Sequence, residues 1–120
     1  MIGSRTAERA LRVAVAGTGA FGTNHLRVYR ELETSGHGVT LVAALEPNAI
    51  SAEETREKYA IPVFASVDEL LGADLNLDAA SVAVPTVHHH AVAAPLIDAG
   101  LDLLVEIGRA SCRERVCMLV

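Results

Sequence analysis

Short apolar runs alternate with segments of helical spacing along most of this chain, and this alternation constrains the fold more than any other feature. The runs are rich in Val, Ala and Leu, which is typical of strands buried on both faces of a sheet. They span Leu11–Gly17, Val39–Asn48, residues 61–66, Leu77–Pro85 and residues 101–106. Strands that alternate with helices across short connections predict an α/β fold with a doubly wound parallel sheet.

Helices are predicted between these strands over residues 20–33, 50–60, 66–72 and 86–100. Ser66 and the glutamate three residues later have the spacing of a capping box. Thr86 is the predicted N-cap of the last helix, and Pro95 is expected to kink it. Glu53 and Glu54 are placed in the first turn of the second helix, where negative charge is favourable.

The composition is that of one soluble domain of 120 residues with a formal net charge of -5. Residues 1–106 contain no cluster of Lys and Arg, so binding to nucleic acid or to an anionic membrane is not expected. The apolar runs are too short to cross a membrane, and the first residues lack the apolar core of a secretory signal. We therefore expect a cytoplasmic protein with a frayed N-terminus over residues 1–10.

A glycine pattern follows the first predicted strand and opens the first predicted helix. Gly17, Gly19 and Gly22 form G-x-G-x-x-G, in which the glycines permit a tight turn, close approach of a pyrophosphate and close packing of helix on strand. The alternative is an ordinary glycine-rich turn. Because the strand and helix that the motif requires are both predicted, the pattern favours dinucleotide binding, with the phosphates at the N-terminus of the helix.

Glu46 ends the second predicted strand, where a carboxylate can accept a hydrogen bond from an adenosine ribose hydroxyl. The same carboxylate would repel a 2′-phosphate, and the next residues supply no Arg or Lys to hold one. Glu46 lies further from the glycines than the usual spacing of about 20 residues, and a solvated residue at a strand end is the alternative. The residue favours NAD as the cofactor, with NADP less suited.

Three consecutive histidines, His88, His89 and His90, follow Pro85 and Thr86 just past the fourth predicted strand. This is the sheet edge at which open α/β folds bind ligands. A metal site is one interpretation, but adjacent side chains on a helix diverge by about 100° and need partners from elsewhere to chelate one ion. We favour one histidine toward the cleft and the others solvated or packed, with no metal.

Three stretches together resemble the N-terminal domain of the glucose-fructose oxidoreductase, inositol dehydrogenase and rhizopine catabolism (Gfo/Idh/MocA) family. They are RVAVAGTGAFGTNHLRVYREL, FASVDELL and VAVPTVHHHAVAAPLIDAGLDLLVE, within residues 11–106. The resemblance implies a Rossmann domain followed by a larger α/β domain. It also implies reversible hydride transfer between a nicotinamide cofactor and a hydroxyl of a sugar, cyclitol or sugar nucleotide.

The resemblance also implies the cofactor-binding residues. Those along the pyrophosphate are Gly17, Thr18, Gly19, Ala20, Phe21 and Gly22. Glu46 binds the adenosine ribose, and Pro85, Thr86 and His89 border the cofactor. Glu106 is the first residue of the E-K-P motif of the family. The lysine of that motif polarises the reacting hydroxyl. Here Ile107 and Gly108 stand where the lysine and proline belong, so no catalytic residue is expected in this chain.

The last residues, 107–120, have three interpretations. Cys112 and Cys117 are too few ligands for a structural zinc, and the arginines are too few for a nucleic-acid arm. We favour the third, a non-native segment, because residues 106–116 match the translation of a common short-read sequencing adapter. The domain is then predicted over residues 11–106, and the second domain is missing.

The sequence thus predicts the NAD-binding domain of a family oxidoreductase, which in this truncated form binds the dinucleotide weakly and is inactive. Its partners would be the nicotinamide dinucleotide and, in the full-length protein alone, a small sugar-like substrate. The alternative is a stand-alone dinucleotide-binding module without catalysis. A gene that continues past codon 106 into Lys-Pro and a second domain would exclude the module.

Overall fold

The computed structural model describes residues 10–106, apart from the side chains of Ala20 and Phe21. Its strands are β1 (Leu11–Ala16), β2 (Val39–Leu45), β3 (Val63–Phe64), β4 (Ala79–Val82) and β5 (Asp102–Val105), and its helices are α1 (Ala20–Thr34), α2 (Ala49–Tyr59), α3 (Val67–Gly72) and α4 (His89–Asp98). The first nine residues of the predicted frayed start, which spans residues 1–10, and the predicted non-native tail over residues 107–120 lie outside the described residues.

The strands form one sheet in the order β3-β2-β1-β4-β5, and every pairing is parallel. β1 therefore lies at the centre, and the chain runs from it toward one edge before crossing back to β4. The carboxyl ends of β1, β2 and β4 meet where this direction reverses, which is the position at which such sheets bind ligands. The predicted doubly wound parallel sheet is confirmed.

Two apolar cores cover the two faces of the sheet. Val13 and Val15 of β1 belong to one, and Ala14 and Ala16 belong to the other, because successive strand residues point to opposite faces. Leu26 of α1 fills the first core, and further buried residues come from α2. The second core is closed by α3 and α4. Burial on both faces explains why the strands are continuously apolar rather than alternating.

Several predicted element ends differ from the structure. α2 begins at Ala49, because the side chain of Asn48 accepts a hydrogen bond from the Ser51 amide at 3.0 Å, and its first turn contains no acidic residue. The placement of Glu53 and Glu54 in the first turn is therefore wrong. By contrast, the Ser66 cap is confirmed, since its hydroxyl accepts from the Glu69 amide at 3.2 Å.

The predicted N-cap at Thr86 is also wrong. Residues Thr86–His88 form a 3₁₀ turn, closed by a hydrogen bond from the His88 amide to the Pro85 carbonyl at 2.8 Å. α4 starts only at His89, and neither start has a side-chain cap. Backbone bonding within the turn replaces the side-chain cap, and α4 then continues through Pro95 to Asp98.

A buried hydroxyl pair fixes α1 against the sheet. The hydroxyl groups of Tyr29 and Ser81 form a hydrogen bond, with their oxygens 2.6 Å apart, and Ser81 is fully buried in β4. Replacing Tyr29 with phenylalanine leaves the serine hydroxyl without this partner, so we expect the free energy of unfolding to fall by about 1–3 kcal/mol in urea denaturation. Adding Ser81→Ala should recover part of that loss. Equal stability of wild type and the single variant would contradict the assignment.

No helix within residues 10–106 is long and apolar enough to span a membrane.

Candidate functional site

The turn between β1 and α1 is shaped by its first glycine. Gly17 has φ +94°, and a β-carbon at this position would lie 2.8 Å from the Ala83 carbonyl oxygen. The Gly17 amide continues the sheet pairing by donating to Leu45 at 2.8 Å. Both the backbone angle and the contact with the β4–α4 connection therefore require glycine.

The other two glycines of the motif differ sharply in their surroundings. A β-carbon on Gly19 would meet nothing within 4 Å, so the backbone there borders open space. One on Gly22 would lie 1.6 Å from the Gly17 carbonyl oxygen, so α1 rests directly on the turn. Gly19 precedes α1 without a side-chain cap. The first amides of α1 have no intrahelical acceptor and can bind an anion approaching across Gly19.

Glu46, directly after β2, is hydrogen-bonded to the glycine turn. Its Oε1 accepts from the Thr18 amide at 2.8 Å and from the Thr18 hydroxyl at 3.0 Å, and its Oε2 accepts from the Asn48 amide at 3.0 Å. A carboxylate offers about four acceptor positions. Three are used by the chain itself, which leaves one, on Oε2, for an outside donor.

An open cleft of about 880 Å³ runs along this edge of the sheet. On the β2 side it is lined by Glu46, Pro47, Asn48, Ser51 and Ser66, and beside the glycine turn by Gly17 and Gly19. On the β4 and β5 side it is lined by Pro85, His88, Ala91, Val92 and Glu106. A mostly apolar cleft with a few polar groups at its two ends is typical of a cofactor site.

The predicted cofactor residues do not all line this cleft. Gly17, Gly19, Glu46, Pro85 and Glu106 do. Two others do not line the cleft but contact residues that do. Thr18 is buried and hydrogen-bonded to Glu46, and Gly22 packs against the carbonyl of Gly17. Thr86 and His89 are not among the lining residues, and the side chains of Ala20 and Phe21 lie outside the described part of the structure.

The three histidines have three different environments. His88 lines the cleft, whereas the His89 ring donates from Nε2 to the Val84 carbonyl at 2.9 Å, and His90 is exposed. The predicted contact between His89 and the cofactor remains a prediction. Within residues 10–106, no group of three or more His, Cys, Asp or Glu side chains could hold a metal ion. Cys112 and Cys117 lie outside the described residues.

Sequence reasoning missed one polar contact at the far end of the cleft. The His25 Nε2 lies 2.5 Å from Glu106 Oε1, and the two side chains are 15% and 28% exposed. His25 lies within the helix predicted over residues 20–33, and the sequence gives it no partner. The two residues are 81 positions apart in the chain, so only the assembled sheet brings them together.

Comparison with known proteins places the chain in a family. A model of the Gfo/Idh/MocA family, an oxidoreductase family with an NAD-binding Rossmann fold, matches residues 11–107. The inositol 2-dehydrogenase of Leifsonia xyli subsp. xyli is 36% identical over 97 residues, which are 80% of this chain and 27% of that enzyme. The chain spans less than a third of the length of such curated relatives.

Two solved structures have a similar fold. GenD2 from gentamicin A biosynthesis, in complex with NAD, is 30% identical with a TM-score of 0.71, over 82% of this chain and 27% of that one. The UDP-N-acetylglucosamine 3-dehydrogenase GnnA of Acidithiobacillus ferrooxidans is 32% identical with a TM-score of 0.68, over 81% and 29%. Because the family match covers most of the chain, this chain belongs to the Gfo/Idh/MocA oxidoreductase family and carries its NAD-binding Rossmann fold.

Proposed function

We propose that the cleft along the carboxyl ends of the strands holds the dinucleotide, with its pyrophosphate over Gly19. The observation that carries this proposal is the open space above Gly19, between two glycines that tolerate no side chain. A pyrophosphate in that space meets the unpaired amides at the N-terminus of α1. By family resemblance Thr18, Ala20 and Phe21 also line the pyrophosphate, while Gly17 and Gly22 shape the turn that leads into α1.

The adenosine half extends toward Glu46, and the nicotinamide half toward Pro85 and Glu106. The free position on Glu46 Oε2 accepts one ribose hydroxyl. A 2′-phosphate would instead bring negative charge against a carboxylate that Thr18 and Asn48 hold in place. The nearby lining residues Pro47, Asn48 and Ser51 supply no positive charge to offset it. We therefore propose NAD rather than NADP as the cofactor.

We further propose that the longer protein transfers hydride between NAD and a hydroxyl of a sugar, cyclitol or sugar nucleotide. Relatives with these printed activities include an inositol 2-dehydrogenase and a UDP-N-acetylglucosamine 3-dehydrogenase. When bound, the nicotinamide supplies the hydride acceptor. This chain contributes the loop and the carboxylates that bind and orient the cofactor, and no catalytic residue, since Ile107 occupies the place of the family lysine. Thr86 and His89 remain proposed neighbours of the cofactor.

The experiment is an NMR titration of the 120-residue chain with NAD. Weak binding is expected for the wild type. Gly19→Ala should fold normally, because its β-carbon meets nothing within 4 Å, yet bind NAD about tenfold more weakly or worse, a loss of about 1.4 kcal/mol. Gly72→Ala, whose β-carbon also enters open space but far from the loop, is the matched control. Unchanged NAD affinity in Gly19→Ala would refute the proposed position of the pyrophosphate.

We also propose that the domain ends at Glu106 and that residues 107–120 are not native to it. The support is the family match over residues 11–107 and the adapter-like sequence over residues 106–116. Independent sequencing of the gene past codon 106 tests this proposal directly. Reads that again encode Ile-Gly-Arg would contradict it.

A further inference from the structure

His25 links helix α1 to the end of β5 through a single short contact. Its Nε2 lies 2.5 Å from Glu106 Oε1, and because a carboxylate only accepts hydrogen bonds, the histidine donates. The Tyr29 ring lies beside the imidazole with centroids 6.5 Å apart, and the Tyr29 hydroxyl is hydrogen-bonded to the buried Ser81. A chain of contacts thus runs from Ser81 in β4 through Tyr29 and His25 to the Glu106 carboxylate.

Glu106 lies on the opposite side of the glycine turn from Glu46. Its backbone amide donates to the Val82 carbonyl at 2.9 Å, which extends the pairing of β5 with β4 and fixes the main chain. Glu106 is also one of the residues that line the cleft. Within residues 10–106 the second carboxylate oxygen, Oε2, has no hydrogen-bond partner, so one oxygen is held by His25 and the other can accept a ligand.

We propose that His25 is a positioning residue that holds Glu106 to accept a hydrogen bond from the carboxamide of the nicotinamide half of the dinucleotide. This inference rests on the proposed dinucleotide site. With the adenosine end at Glu46, the opposite end of the cleft receives the nicotinamide, whose amide N–H is the donor that an acceptor-only carboxylate suits. Without His25, the glutamate side chain is free to populate other rotamers, and ordering it opposes binding.

The test compares NAD with ADP-ribose, which lacks the nicotinamide. Affinities are measured by NMR titration for wild type, His25→Ala, His25→Gln, His25→Phe and Glu106→Leu. His25→Ala should weaken NAD binding about fivefold, the loss typical of one hydrogen bond, and leave ADP-ribose binding unchanged. His25→Gln keeps an N–H donor and should restore most of the NAD affinity. Glu106→Gln offers an amide that can still pair with the nicotinamide carboxamide, so Glu106→Leu, which has neither acceptor nor donor, should lose NAD affinity as His25→Ala does.

The outcomes separate this inference from the proposed function. If the wild type binds NAD and ADP-ribose but His25→Ala leaves both affinities unchanged, or lowers both equally, the positioning role is wrong and the dinucleotide site stands. If the wild type binds neither ligand, the proposed function and this inference both fail. If His25→Ala does not fold, the ratio of NAD to ADP-ribose affinity in His25→Phe, which keeps a ring but has no N–H donor, decides, and a ratio unchanged from wild type overturns the inference.

Discussion

Replacing Gly22 with alanine is expected to destabilise the domain severely. The added β-carbon would lie 1.6 Å from the carbonyl oxygen of Gly17, far inside any contact that atoms tolerate. No side-chain rotation relieves this overlap. The β-carbon is fixed to the backbone of α1, and the carbonyl oxygen belongs to the backbone of the turn after β1. α1 must therefore move away from the central strand, and Leu26, fully buried on the same helix, would lose its packing.

The expected loss is at least about 3 kcal/mol, the upper range for forced overpacking. A domain of this size is stable by roughly 5–15 kcal/mol, so this loss removes about a fifth to three fifths of its stability and moves unfolding to a clearly lower urea concentration. Far-ultraviolet circular dichroism during urea denaturation measures the loss. Gly72→Ala is the control, since nothing lies within 4 Å of its β-carbon and its stability should stay near that of the wild type. Equal denaturation midpoints for the two variants would show that α1 does not rest on the turn.

The fold was predictable because its signals are local. Apolar runs identify buried strands, and the glycine pattern identifies the turn between β1 and α1. Caps were predicted less well, because the bonds that start a helix depend on the exact local backbone. At α2, Asn48 captures the Ser51 amide, whereas at α4 the 3₁₀ turn after Pro85 bonds within its own backbone and leaves Thr86 no capping role.

The site was predictable only where strand register could be anticipated. Glu46 lies further from the glycines than the usual spacing, and that spacing weakened its assignment. Parallel pairing removes the difficulty, because Ala16 pairs with Leu45 and so places Glu46 beside the turn. The contact between His25 and Glu106 has no local signal. It depends on the register of β4 with β1 and of β5 with β4, which only the assembled sheet defines.

Replacing Glu46 with glutamine is expected to narrow the preference for NAD over NADP. Two unit charges about 4 Å apart repel by about 4 kcal/mol at an effective dielectric constant of about 20. Removing even half of such a repulsion changes NADP affinity by more than about tenfold. NAD binding should weaken at the same time, because the glutamine cannot satisfy both Thr18 and Asn48: a carboxamide places a donor where Oε2 now accepts from the Asn48 amide.

The measurement is the ratio of NAD to NADP affinity in wild type, Glu46→Gln and Glu57→Gln. Glu57 is exposed on α2 and outside the cleft, so its variant removes the same charge without touching the site. A ratio that changes equally in both variants would mean that net charge, not the carboxylate beside the turn, sets the preference. A ratio of NAD to NADP affinity that changes in Glu46→Gln alone would mean that the hydrogen bonds from Thr18 and Asn48 to Glu46 set the cofactor preference as well as stabilising the loop. They hold one negative charge where a 2′-phosphate would have to lie, and they leave it one acceptor position for a hydroxyl.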